Sequence, residues 1–135
     1  MRAILIHAKK FSFVPIKKEI SVAELAAKGQ KIDLGRCLVL FSAFEEGDNE
    51  DKLSSLVSQI KKDSGEVKET KVIIYPFVHL TEKPLEPEKA MALISVLAKN
   101  LAQEGLEVHR APFGWTKSFS IESMPHPLAE RGLRV

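Results

Sequence analysis

Cysteine is nearly absent from this sequence: Cys37 is the only one among 135 residues. An internal disulfide is therefore excluded, and this usage is typical of a protein kept in a reducing cytosol. Cys37 opens the apolar run "CLVLF", which favours a buried structural thiol over a nucleophile.

Long apolar runs are absent as well. No stretch approaches the roughly 18 apolar residues of a membrane-spanning helix. The opening "MRAILIHAKK" has too short an apolar core for a signal peptide, and no cleavage signature follows it. We therefore predict a cytoplasmic protein without a membrane partner.

The usual cofactor and metal motifs are missing. The sequence has no P-loop, dinucleotide fingerprint, H-x-x-x-H zinc pair or G-x-S-x-G elbow. The four histidines, at positions 7, 79, 109 and 126, are scattered along the chain. The sequence therefore predicts neither a bound metal nor a cofactor.

Net charge is small, at +2 near neutral pH, and does not by itself indicate a nucleic-acid partner. Three lysine pairs are able to contact phosphates: Lys9–Lys10, Lys17–Lys18 and Lys61–Lys62. Each pair is equally compatible with a solvated surface. Both interpretations stay open at this stage.

The first half of the chain predicts strands and two helices. Residues 2–8 and 11–19 predict a hairpin turning at 8–10, and residues 21–29 predict a short helix with Ser21 and Glu24 as a capping box. Residues 36–44 form an apolar run typical of a buried strand. Helical spacing then begins at Leu53, and Ser64-Gly65 predicts its end.

The second half of the chain continues the alternation of strands and helices. A buried strand is predicted over residues 71–77, followed by a long helix with Pro87 in its first turn and Gly105 after its end. Two strands flank residues 112–114, and a last helix is predicted from His126. Strands separated by helices favour parallel pairing, and the terminal strands favour antiparallel pairing. We therefore predict one α/β domain over residues 1–135, with mixed β-sheet layers and flanking helices.

A lysine on an apolar strand face marks the first candidate site. In "APFGWTKSFSI", alternation places Lys117 with Trp115, Phe119 and Ile121. Lysine is rarely fully buried without a partner. Lys117 is therefore either a snorkelling surface residue, or a cleft lysine whose charge meets a substrate.

Two further segments carry candidate polar groups. "YPFVHL" ends a buried strand, where ligand sites gather in α/β sheets, and it places His79 at the rim or as a simple strand cap. In "HPLAE", Glu130 either pairs with Lys117 or is an ordinary glutamate early in a helix.

These three segments, behind an N-terminal "ILIH", resemble the N-terminal editing domain of archaeal threonyl-tRNA synthetases. The resemblance covers nearly the whole chain and is strongest over residues 71–130. It implies a D-aminoacyl-tRNA deacylase-like fold with two β-layers and flanking helices, assembled as a homodimer. The implied activity is hydrolysis of serine mischarged on the tRNA for threonine, with no cofactor.

The resemblance also implies site residues. Lys117, His79 and Glu130 correspond to the catalytic positions. Backbone groups of residues 76–78 would hold the amino acid, and residues 42–45 would line an adenosine pocket. The implied substrate-binding residues are Ser42, Ala43, Phe44, Glu45, Pro76, Phe77, Val78, Phe113, Trp115 and Thr116. Some relatives have two aromatic residues before the lysine, and Thr116 departs from that pattern.

Two other functions remain open: a D-aminoacyl-tRNA deacylase, and a non-catalytic module that docks the tRNA acceptor end. A purely structural dimerisation domain would leave Lys117 unexplained. The sequence has no ATP-binding or amino-acid-activating motif, so we expect a synthetase catalytic domain to act with this chain in cis or in trans. The end at "RGLRV" falls where the family chain would continue, which predicts a fragment boundary or a truncated paralogue.

Overall fold

A single strand of 17 residues, β1 (Arg2–Lys18), organises the sheet in the computed structural model, which describes residues 1–135. The sheet has seven strands, in the order β2-β1-β3-β4-β5, with β6 and β7 also paired to β1. The other strands are β2 (Ile32–Asp33), β3 (Cys37–Ala43), β4 (Lys71–Pro76), β5 (Glu107–Arg110), β6 (Trp115–Ser123) and β7 (Glu130–Arg134).

The predicted N-terminal hairpin is wrong, because β1 runs straight through residues 8–10. That segment contains no glycine, asparagine or proline to form a turn. It forms an irregularity in the register between β1 and β6 instead. The first half of β1 pairs with β3 and β7, and its second half pairs with β2 and β6.

The parallel centre of the sheet matches the prediction. β3 pairs with β4, and β4 with β5, all in parallel, and every residue of β3 is buried. The helices are α1 (Leu53–Val67) and α2 (Pro87–Gln103). Their apolar faces join Leu38, Leu40 and Ile74 in a cluster of 18 buried residues on one side of the sheet.

The other side of the sheet carries an aromatic cluster. Phe41 of β3 and Tyr75 of β4 point there, opposite to their strand neighbours in the helix-facing core. β6, which pairs with the second half of β1, also contributes to this side. The ring centroid of Phe119 on β6 lies 5.3 Å from that of Phe41 and 5.5 Å from that of Tyr75. The predicted β-layers with flanking helices are thus observed.

Two predicted helices and the predicted end of one other helix are wrong. Residues 21–29 are irregular, because the Glu24 side chain bonds to the distant Phe113 N–H instead of capping a local helix. Residues 130–134 form β7 instead of a helix, because they pair with the free edge of β1 at residues 2–6. α1 continues past Gly65 to Val67, and the C-cap residue Lys68 takes a left-handed conformation with φ of 56°. Neither α-helix is long and apolar enough to cross a membrane.

Candidate active site

A cavity of about 600 Å³ opens where the parallel strands end. Its walls are the segments after β3 and β4, the start of α2, and the 113–117 segment leading into β6. Ligand sites in α/β sheets gather at the carboxyl ends of the strands, as predicted for "YPFVHL". Most of the predicted site residues lie here: Ser42, Ala43, Phe44, Pro76, Phe77, Val78, His79, Phe113, Trp115, Thr116 and Lys117.

Lys117 lies in the cavity wall with its ammonium held by backbone oxygens. Its Nζ donates to the carbonyl of Pro112 at 2.9 Å and to that of Trp115 at 3.1 Å. It also lies 5.0 Å from the ring centroid of Tyr75. Because an ammonium carries three N–H groups, one donor stays free for a ligand. The predicted cleft position of Lys117 is therefore observed.

Burial lowers the pKa of Lys117 from its ordinary 10.5 to about 8, while the charge of Glu24 acts in the opposite direction. No carboxylate contacts the ammonium directly, so desolvation outweighs the attraction. An ammonium with a pKa near neutrality gives up or shares its proton readily, which suits a group that acts on a reacting ester.

The segment after β4 forms the facing wall. Pro76 ends the strand, and a single 3-10 turn follows over Val78–Leu80. The Phe77 N–H donates to the Ser42 carbonyl at 2.8 Å, which ties this wall to the end of β3. The first N–H groups of such a turn have no partner inside it. Val78 and His79 therefore present backbone donors and an exposed imidazole beside the cavity.

The wall formed by residues 112–114 is held in place by the distant irregular segment that contains Glu24. Glu24 accepts the Phe113 N–H at 2.9 Å, and its other oxygen accepts from Arg110 at 2.6 Å. The Trp115 indole N–H donates to the Glu24 carbonyl at 2.8 Å. Gly114 has φ of +84°, and a Cβ there would lie 2.8 Å from Ala23 Cβ. Glycine is therefore required at this turn.

The predicted adenosine segment divides into two parts. Ser42, Ala43 and Phe44 line the cavity, and the buried Ser42 hydroxyl has no hydrogen-bond partner. Glu45 points away and accepts from Thr81 Oγ1 at 2.6 Å and from the Met1 amino group at 3.2 Å. The Thr81 hydroxyl bond holds the pKa of the Glu45 carboxyl below its ordinary value. Direct substrate contact by Glu45 is not supported by this geometry.

Glu130 does not reach the cavity within one chain. It pairs with Ile6 of β1, whereas Lys117 pairs with Pro15. Nine residues of strand separate the two pairing positions, which is roughly 30 Å at the rise of a β-strand. The prediction that Glu130 steadies Lys117 is therefore wrong for a single chain.

Half of the 22 cavity residues were not predicted from the sequence, and three of them, Tyr75, Phe119 and Glu19, bear on the site. Tyr75 and Phe119 form an aromatic floor, and Phe119 is 42% exposed although it is large and apolar. Alternation had placed Phe119 on the face of Lys117, and that signal pointed to it. Glu19 also lines the mouth, where Thr116 donates to it at 2.8 Å. No local pattern links Glu19 to Thr116, because 97 positions separate them.

Comparison with known sequences supports one family. Residues 1–134 match the archaea-specific editing domain of threonyl-tRNA synthetase. The threonine–tRNA ligase editing subunit of Saccharolobus solfataricus is 38% identical over 135 residues, covering 100% of this chain and 34% of that protein. The threonine–tRNA ligase of Cenarchaeum symbiosum is also 38% identical over 135 residues, covering 100% of this chain and 21% of that protein. The chain therefore spans about a third or less of these curated relatives.

Solved structures confirm the fold. The c-Myc DNA unwinding element binding protein superposes with a TM-score of 0.76 at 14% identity, covering 100% of this chain and 99% of that one. A probable eukaryotic D-amino acid tRNA deacylase superposes with a TM-score of 0.71 at 12% identity, covering 98% and 97%. The predicted deacylase-like α/β fold is thereby confirmed. With the sequence match over residues 1–134, the chain belongs to the archaea-specific editing domain family of threonyl-tRNA synthetase.

Proposed function

We propose that this chain hydrolyses the ester between serine and the terminal ribose of the tRNA for threonine, clearing the mischarged product. The observation that carries the proposal is Lys117, a lysine with a pKa of about 8 and one free N–H donor in the wall of a cavity. Family membership supports the same activity, because the family is that of a synthetase editing domain.

Water is the proposed nucleophile. An aminoacyl ester is already reactive, so the enzyme has to place a water molecule and stabilise the oxyanion that forms. The third N–H of Lys117 orders the water and the seryl group. Backbone N–H groups near Val78 donate to the developing oxyanion from the facing wall. Ser42 is a poor covalent nucleophile, because no base is hydrogen-bonded to its hydroxyl.

The substrate itself supplies part of the proton handling in this proposal. The cavity holds no carboxylate or imidazole hydrogen-bonded to Lys117. The ribose 2′-hydroxyl lies next to the ester by its chemistry and is able to relay a proton. His79, exposed at the rim, orients the ribose.

The adenosine of the tRNA end would bind along Ser42, Ala43 and Phe44, next to the backbone of residues 76–78. The orphan Ser42 hydroxyl supports this placement, because a buried hydroxyl without a partner is costly and a ligand would satisfy it. Phe113 and Trp115 close the opposite wall, with Thr116 at the mouth.

Selectivity would rest on size. Serine and threonine differ by one methyl group, from which a binding site gains only about 1–3 kcal/mol. A synthetic site therefore cannot reject serine well, whereas a second site can exclude threonine by contact. The Pro76–Val78 wall suits this role, because Pro76 and the Phe77–Ser42 hydrogen bond hold its backbone in place.

A homodimer is part of the proposal. Glu130 would contribute to catalysis only in a cavity formed with a second copy, since it lies far from Lys117 in its own chain.

We also propose that a synthetase catalytic domain acts with this chain, in cis or in trans, in the cytoplasm. Both arrangements have a parallel among the relatives, one of which is named an editing subunit and the other a threonine–tRNA ligase.

The test is a hydrolysis assay on the tRNA for threonine charged with L-serine, L-threonine or D-serine. Fast hydrolysis of the L-seryl ester alone supports the proposal. Preference for the D-seryl ester would indicate a D-aminoacyl-tRNA deacylase instead. Binding of the tRNA without hydrolysis of any ester would indicate a docking module.

A further inference from the structure

Four lysines lie at the end of β1 that borders the cavity and are named the basic rim here: Lys17 and Lys18 on the β6 side, and Lys28 and Lys31 on the β2 side. Cross-strand pairing places Lys17 opposite Thr116 and Lys18 opposite Trp115, both of which line the cavity. Gly29 N donates to the Pro15 carbonyl at 2.8 Å, which brings the 28–31 segment to the same end of β1. All four side chains are exposed.

The charges of this basic rim have no partners in the chain. None of the four lysines forms an ion pair with a carboxylate. Of the two nearby acids, Glu24 is paired with Arg110, and Glu19 accepts only from the neutral Thr116 hydroxyl and keeps its charge, so four lysines face one uncompensated carboxylate. The rim therefore presents a local positive field that the small net charge of the chain conceals.

The other lysine pairs of the sequence lie elsewhere. Lys61 and Lys62 are on α1, and Lys61 donates to the Glu104 carbonyl at 2.6 Å. Lys10 lies opposite Glu122 of β6, a cross-strand neighbour of opposite charge. Of the three lysine pairs in the sequence, only Lys17–Lys18 lies next to residues that line the cavity.

The spacing suits a nucleic-acid strand that enters the cavity. Lys17 and Lys18 are two and three residues from Pro15, which pairs with Lys117. At the rise of a strand this is about 7–10 Å, so a backbone phosphate near the terminal nucleotide would reach the rim while its ester lies at Lys117. Lysine ammonium groups recognise phosphates as point charges.

We propose that the basic rim binds backbone phosphates of the single-stranded 3′ acceptor end and directs that strand into the cavity. This inference rests on the proposed function and names the group that positions its substrate. It assigns Lys17 and Lys18 to binding and gives them no part in the chemistry.

The test measures binding of uncharged tRNA for threonine across a series of salt concentrations. We compare the wild type with Lys17→Ser/Lys18→Ser and with a matched control, Lys61→Ser/Lys62→Ser. The slope of log affinity against log salt falls by about 0.7 for each phosphate of a single strand that the protein no longer neutralises. We expect a decrease of about 1.4 for the rim variant, which removes two such charges, and no change for the control.

A second measurement separates binding from chemistry. With seryl-tRNA, the rim variant should show a raised KM and an unchanged kcat. With a seryl ester of adenosine, which has no phosphate, it should match the wild type. The proposal is overturned if the rim variant and the control have the same salt slope. Failure of the wild type to hydrolyse any ester would refute the proposed function, while the salt slopes would still decide the role of the rim.

Discussion

The two ends of β1 differ in how their charged groups are satisfied. Near Arg2–His7, the Met1 amino group pairs with Glu45 and Asp48, and Arg131 pairs with Asp63 and Glu66. Near Pro15–Lys18, Lys117 donates only to carbonyl oxygens, and the basic rim has no acidic partners. Charges paired inside the chain fix the fold, whereas charges left unpaired beside a cavity are available to a ligand. We therefore propose that, within one chain, the first end of β1 serves structure and the second serves the chemistry of the cavity.

The largest effect is expected for Lys117→Met. In the proposed mechanism Lys117 places the water and the seryl group, and misplaced reactants cost roughly 10²-fold in rate, so this variant should lose about that much in kcat for seryl-tRNA. Lys61→Met is the control, because it removes an exposed charge on α1. A circular dichroism melt checks that both variants fold. If Lys117→Met hydrolysed seryl-tRNA with the wild-type kcat, this end of β1 would have no role in the chemistry.

Arg131→Met tests the end of β1 near Arg2–His7, where the charged groups form ion pairs. It leaves the Asp63 carboxylate, which is 1% exposed, without its ionic partner. Breaking a buried pair in this way costs about 3–5 kcal/mol of unfolding free energy, measured by urea denaturation. Arg134→Met, on the same strand without an ion pair, should change little. If Arg131→Met instead lowered kcat in the folded protein while stability held, the assignment of this end to structure would fail.

Gly114→Ala probes how the cavity wall is held. The new methyl group would lie 2.8 Å from Ala23 Cβ and from Ile20 Cγ1, in a residue with φ of +84°. Gly105→Ala is the matched control, because Gly105 has φ of +88° and open space around its Cβ position. Each variant should lose about 1–2 kcal/mol of stability to backbone strain. Only Gly114→Ala should also raise KM, by shifting the wall against the 20–23 segment, and equal KM values would exclude that effect.

Local patterns predicted the parallel centre of the sheet, the start of α2 and the face on which Lys117 lies. The buried runs of β3 and β4, Pro87 at the start of α2 and the alternation around Lys117 are all readable in short windows. The family resemblance supplied the proposed catalytic and substrate-binding positions, and the family itself is confirmed.

The failures share a physical cause, which is long-range pairing. Glu24 caps no helix because its carboxylate is used by Phe113, 89 positions away. Residues 130–134 form a strand because β1 extends far enough to pair with them. The Glu19–Thr116 contact spans 97 positions. Periodicity within a segment carries no information on such partners, and tertiary contacts override local propensity.

The smallest effect is expected in the pH dependence of stability. The pKa of Lys117 is about 8 in the folded protein and 10.5 ordinarily, so the unfolded chain binds more protons between these values. Stability of the wild type relative to Lys117→Met should therefore rise as the pH increases from about 8 to 10.5. Partial exposure reduces the gain to about 1–2 kcal/mol. Urea denaturation of both proteins at pH values of about 7, 9 and 10.5, which bracket the two pKa values, measures it.

Activity should move in the opposite direction over the same window. The proposed mechanism uses the ammonium as a donor, so kcat for the seryl ester should fall above a pH of about 8 while the folded protein becomes more stable. Spontaneous ester hydrolysis, measured without protein, is subtracted at each pH. A kcat that rises with pH would mean that the neutral amine of Lys117 acts as a base. A stability difference that stays flat with pH would mean that the lysine is solvated, and the contrast between the two ends of β1 would then lose its main support.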